Sequence, residues 1–116
     1  HEDRGLGLEF LRHIERTQVL VFVLDASGID GRHPLEDLKT LRSELQAYNP
    51  VLLEKPCVVA LNKIDAEESA EKMEEFRAAY DGDFDSLFEI SAQEQLNLAA
   101  CLDKIREKAQ RNGKHF

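Results

Sequence analysis

Positive charge is scarce in this 116-residue chain: 15 lysines and arginines stand against 23 aspartates and glutamates, a formal net charge of −8. So acidic a segment does not supply the broad cationic footprint that holds nucleic acid or an anionic membrane. Its one basic stretch, Lys104, Arg106, Lys108, Arg111 and Lys114, is of the kind that complements the dipole at the end of a C-terminal helix. Cysteine is sparse too. Cys57 and Cys101 lie in apolar patterns, form no CxxC pair and have no histidine at metal-ligand spacing, so reduced core thiols are expected, with no metal site. The longest apolar run, Val19 to Leu24, is far too short to cross a bilayer, and His1-Glu2-Asp3-Arg4 has no signal-peptide anatomy. There is no internal repeat and no low-complexity segment. These absences predict a soluble intracellular chain, cytoplasmic or, in a eukaryote, organellar, with no membrane partner.

What is present is a 42% hydrophobic content, enough at this length for one compact domain over residues 1–116 and too little for two. Three short aliphatic runs stand out: Val19 to Leu24, Cys57 to Leu61, and Leu87-Phe88-Glu89-Ile90. The first two are apolar on both faces, as parallel strands covered by helices require. Helical periodicity fills the intervals. Leu35, Leu38, Leu41 and Leu45 share one stripe with Pro34 at the first turn; Met73, Phe76 and Tyr80 form a second; Leu98, Cys101, Leu102, Ile105 and Ala109 a third. Phe10, Leu11 and Ile14 predict a further helix over Leu8 to Thr17. The order helix, strand, helix, strand, helix, strand, helix, joined by right-handed crossovers, predicts a three-layer α/β fold: a mostly parallel sheet with helices on both faces. Ser27-Gly28-Ile29-Asp30-Gly31 and Tyr80-Asp81-Gly82-Asp83 read as turn-rich loops.

In open α/β sheets ligands bind at the carboxyl ends of the strands. Here those ends carry Asp25-Ala26-Ser27, Asn62-Lys63-Ile64-Asp65 and Ser91-Ala92. An aspartate carboxylate accepts two parallel hydrogen bonds and so matches a ring that presents an amide NH beside an exocyclic amine, the edge that guanine has and adenine lacks. Asn62 offers both a donor and an acceptor, enough to engage a base and pin a neighbouring loop. Lys63 brings a stem that can lie over a flat ring while its ammonium reaches outward. A backbone NH at Ser91-Ala92 is placed to reach the carbonyl oxygen of the same base. The competing reading is a solvated loop in which Asn62 or Asp65 caps the following helix.

Asn62-Lys63-Ile64-Asp65 resembles the guanine-specificity motif NKxD of the translation-factor class of P-loop GTPases, and Ile90-Ser91-Ala92 resembles their later SA motif. More specific is Gly5-Leu6-Gly7-Leu8-Glu9-Phe10-Leu11-Arg12-His13-Ile14-Glu15-Arg16-Thr17, which is similar to the GLGxxFLRHIERT segment of the Obg proteins, ribosome-associated GTPases. Val23 to Ser27 and Leu41 to Tyr48 continue the similarity, so it covers essentially the whole chain. The resemblance implies part of a Ras-like GTPase domain, with Asn62 and Asp65 as guanine readers, Lys63 as the stacking residue, Ser91 as loop support and Ala92 as a backbone donor. It further implies GTP or GDP as ligand, magnesium in the intact protein, GTP hydrolysis, and a role in assembly of the large ribosomal subunit. Nothing here resembles GxxxxGK followed by Ser or Thr, nor the DxxG segment that precedes GLGxxFLRHIERT in the family. The expectation is therefore the C-terminal, guanine-reading half of the domain, inactive alone, whose first partner is the missing half. The family's glycines after SA are also replaced, by the run Gln93-Glu94-Gln95-Leu96-Asn97-Leu98, in which asparagine tolerates left-handed backbone better than glutamine does.

Two other classes fit parts of the pattern. Asp25 and Lys63 at successive strand ends suggest a phosphoacceptor receiver domain, although such a domain wants an acidic pair at the end of its first strand and none is visible. A nucleotide-free α/β interaction module is the other. His13 reads as a partly buried packing residue rather than a catalytic one, and Arg12 and Arg16 have Glu9 and Glu15 near enough to pair with.

Overall fold

The computed structural model describes residues 8–28, 31–63 and 66–113. Helix α1 (Leu8–Glu15) leads into strand β1 (Leu20–Asp25), followed by α2 (Pro34–Tyr48), β2 (Cys57–Asn62), α3 (Ser69–Ala79), β3 (Leu87–Glu89) and α4 (Leu98–Gly113). The alternation expected from periodicity is thus present element for element. The strands form one parallel sheet in the order β1-β2-β3, with Leu20 opposite Cys57, Asp25 opposite Asn62, and Val59 opposite Leu87. The third strand is one residue shorter than its apolar run, but Ile90 still donates its N–H to the Leu61 carbonyl at 2.7 Å.

Local chemistry sets the boundaries. Pro34 opens α2, where its missing N–H costs nothing, and the His33 ring caps the same turn by accepting the Leu35 N–H at its Nδ1, 3.1 Å away. Asn49 closes α2 and caps a 3₁₀ turn, Pro50–Glu54, that drops Leu52 into the core at 2% exposure. The loop after α3 carries Asp83, whose side chain caps a second 3₁₀ turn, Phe84–Ser86. At the start of the sheet the Lys55 ammonium donates to the carbonyl oxygens of Thr17 at 2.7 Å and Glu15 at 3.3 Å, satisfying acceptors that the end of α1 leaves open.

The core has two layers. One buries Leu20, Phe22, Leu24, Val59 and Leu61 of the sheet against Leu11 of α1, Leu38 and Leu45 of α2, and Phe76 of α3. The other packs Val58, Ala60 and Ile90 against Cys101 of α4, flanked by Leu98 and Ile105. Cys57 and Cys101 are free thiols, and burial pushes the Cys101 thiol up. Surface pairs Lys104–Glu107 and Arg106–Asp103 occupy the basic face of α4, as a solvated helix face would arrange them. His13 is exposed, not partly buried as expected: the apolar stripe of α1 turns Leu11 inward and leaves its neighbours Arg12 and His13 outside.

Helices cover both faces of β2, but β1 departs from the sequence expectation. Leu20, Phe22 and Leu24 are buried while Val21 and Val23 are 39% and 59% exposed. The reason is geometric: α4 lies over β2, and among the described residues no element covers the same face of β1. A groove of about 430 Å³ runs along this flank, lined by Ile14, Val19, Val21, Val23 and Leu41 among others. The Leu20 and Ala26 amides donate to the carbonyl oxygens of Pro56 and Asn62, and the two-residue period of a parallel ladder then turns the amides of Val21 and Val23 toward the outer edge. Hydrogen exchange on the 116-residue chain should therefore find Val21 and Val23 amides exchanging much faster than those of Phe22, Leu24 and Val58 to Leu61. Equal protection along β1 would mean that something pairs with this edge.

Candidate functional site at the carboxyl ends of the strands

All three strands point their carboxyl ends the same way, so the residues after them share one rim. At the end of β1 the Asp25 carboxylate bends back on its own chain: Oδ1 accepts the Ser27 N–H at 2.9 Å and the Ser27 hydroxyl at 2.6 Å. This is an Asx turn, the local geometry that short acidic side chains favour after a strand. Oδ2 accepts from the Lys63 ammonium at 3.0 Å, across from the end of β2. Burial pushes the Asp25 carboxyl up, but the Ser27 hydroxyl, the Lys63 ammonium and the Ser27 amide outweigh it and hold the group below its ordinary value.

At the end of β2 the ladder continues one step further, the Ala26 N–H donating to the Asn62 carbonyl at 2.9 Å. The chain then turns sharply: Lys63 has φ of 70°, a left-handed conformation costing a non-glycine residue on the order of 1–2 kcal/mol. The Asn62 side chain crosses to the next loop, where its Oδ1 accepts the Ala92 N–H at 3.0 Å. Ser91, 1% exposed, accepts the Glu94 N–H on its hydroxyl at 3.1 Å and pairs through its backbone with Leu96. Gln95 and Asn97 close this loop with φ of 60° and 58°. Asn97 is further fixed by its amide, which donates to the Glu89 carbonyl at 2.7 Å, and the Glu89 carboxylate pairs with Arg77 of α3.

Of the residues singled out in the sequence, Asn62, Lys63, Ser91 and Ala92 stand together on this rim, and Asn62 and Ala92 are in direct contact. Asp65 lies outside the described residues. Sequence reasoning did not find the Asp25–Lys63 contact or the loop brace from Asn97. The first depends on the register that sets Asp25 opposite Asn62. The second had a signal in the tolerance of asparagine for left-handed angles. Among the described residues no group of three or more His, Cys, Asp and Glu side chains is placed to hold a metal ion, and no helix is long and apolar enough to cross a membrane.

No family model matches the chain. Its backbone resembles the crystal structure of a variant of Era from Aquifex aeolicus bound to GDP.AlF4-, with a TM-score of 0.60 and 21% identity over 88% of this chain and 33% of that one. The fold is that of part of a Ras-like GTPase domain. In sequence the chain is 53% identical over 106 residues to the GTPase Obg of Protochlamydia amoebophila, covering 91% of this chain and 32% of that protein. It is 43% identical over 108 residues to the GTPase Obg of Roseiflexus castenholzii, covering 93% of this chain and 25% of that protein. With the GTPase Obg of Lactococcus lactis it shares 42% over 113 residues, covering 92% of this chain and 26% of that protein. The chain belongs to the Obg family, and it spans between a quarter and about a third of the length of these curated relatives.

The strained loop after β3 yields a quantitative expectation. Glycine at position 95 would relieve a left-handed cost of about 1–2 kcal/mol while adding about 0.5–1 kcal/mol of backbone entropy to the unfolded chain. Gln95→Gly should then stabilise the domain by up to about 1 kcal/mol in chemical denaturation. A lowered midpoint would mean that Gln95 contacts outweigh the strain.

Proposed function

We propose that this chain is the guanine-reading part of a GTP-binding and GTP-hydrolysing protein. The observation that carries the reading is the Asn62 Oδ1 contact to the Ala92 N–H at 3.0 Å, which ties two strand-end loops into one rim. In this reading Asp65 takes the ring NH and exocyclic amine of guanine, and Asn62 braces the loop while its amide faces the base. The Lys63 stem lies along the ring, Ser91 supports the loop, and the Ala92 amide stands beside the guanine carbonyl. The relatives' name, GTPase Obg, and the GDP.AlF4- in the Era structure support a guanine nucleotide as ligand. The phosphates and magnesium would be held by the rest of the intact protein, with the missing half of the GTPase domain packed along the exposed edge of β1. Magnesium would supply charge neutralisation at the phosphates; no cluster among the described residues is built to hold it. Action in large ribosomal subunit assembly, in the cytoplasm, follows the family resemblance. The bare valines of β1 favour the second reading, a nucleotide-free interaction module.

Asp65 separates the two. In the intact protein Asp65→Ala should weaken GDP binding by about 3 kcal/mol or more, roughly two orders of magnitude in Kd, because two charge-assisted hydrogen bonds are lost. Asp65→Asn should shift preference toward xanthine nucleotides, since one arm becomes a donor for xanthine's extra carbonyl. Equal binding of GTP and ATP by the intact wild-type protein, measured by isothermal titration, would sink the guanine reading. The 116-residue chain alone should turn over no GTP. Magnesium-dependent turnover by the purified chain, undiminished by an Asp65→Ala contamination control, would overturn that expectation.

A further inference from the structure

The Asp25 carboxylate is held in place before any ligand arrives. Its Oδ1 is committed to the Ser27 amide at 2.9 Å and the Ser27 hydroxyl at 2.6 Å, and Ser27 is only 5% exposed. The backbone on both sides is equally fixed, by the Asp25–Asn62 register and by the Ala26 N–H on the Asn62 carbonyl. What remains is Oδ2, aimed across the strand ends at the Lys63 ammonium, 3.0 Å away. Lys63 itself leaves β2 in a left-handed turn, with its side chain 51% exposed. A lysine so exposed would ordinarily sample many rotamers; here its far end is anchored by a carboxylate that cannot turn away.

We propose that Asp25 is a positioning residue of the purine site: locked by Ser27, it tethers the Lys63 ammonium so that the lysine stem stands ready as a wall for the face of the base. The inference rests on the guanine reading above. The tether moves the loss of lysine rotamer freedom from the binding step into folding, where it no longer opposes nucleotide affinity. The contribution is to stacking and so is indifferent to which purine is bound, whereas Asp65 reads the ring edge.

A double-mutant cycle on the intact protein, with GDP affinity from isothermal titration, tests this. Asp25→Asn keeps the shape and an acceptor for Ser27 but removes the charge that holds the ammonium. It should weaken GDP by about threefold to tenfold, and in a Lys63→Ala background it should cost nothing further. Wild-type affinity in Asp25→Asn, or the same loss with and without Lys63, would overturn the proposal, because damage to the loop itself would weaken both backgrounds alike. Asp65→Ala is the control that separates the two failures. GDP affinity unchanged in that variant sinks the guanine reading whatever Asp25 does, while a large loss there with no Asp25–Lys63 coupling sinks only the tether.

Discussion

The hydrogen bond from the Ala92 amide to Asn62 Oδ1 is the interaction on which the rim depends. Loops after neighbouring parallel strands diverge unless something crosses between them, since the ladder stops where the strands stop. One asparagine side chain carries the connection one step past the end of the sheet. Its carboxamide keeps the opposite end available for another partner, which a serine or an alanine could not do. The loop it holds is otherwise self-contained, with Ser91 paired to Leu96 and capped onto Glu94. Asn97 is fastened to the Glu89 carbonyl. Two left-handed residues inside that loop are sustained because these contacts over-determine its path.

The packing beneath is unequal. Eleven buried residues make up the layer under α1, α2 and α3, and four make up the layer under α4. The strand ends nearest the thick layer, those of β1 and β2, carry the Asp25, Ser27 and Lys63 network, which stands on the best-supported part of the sheet. The loop after β3 stands over the thinner layer and compensates with local hydrogen bonds. Rigidity is thus supplied at one end of the rim by the core and at the other by the loop.

The order of elements was legible because each obeyed its own period, alternate or continuous apolar residues for strands and spacings of three and four for helices. Asn62, Lys63, Ser91 and Ala92 could be gathered for the same reason: strand ends are easy to locate once the strands are. The bare face of β1 was not legible, since Val21 and Val23 look the same in sequence whether a helix covers them or not. Nor was the Asp25–Lys63 contact, which joins residues 38 positions apart through strand register. His13 was misread because a helix of eight residues has a narrow stripe, and one step along it moves a side chain from core to solvent.

The Lys55 ammonium on the carbonyls of Glu15 and Thr17 fixes one end of α1 at the foot of the sheet, opposite the rim. A rod pinned at one end converts any displacement there into rotation. Leu11 lies near the middle of α1, buried against the core. A force at the amino end of α1 would therefore act first on Leu11, and only then on the pin. The helix behaves as a lever whose fulcrum is a lysine and whose load is a single leucine.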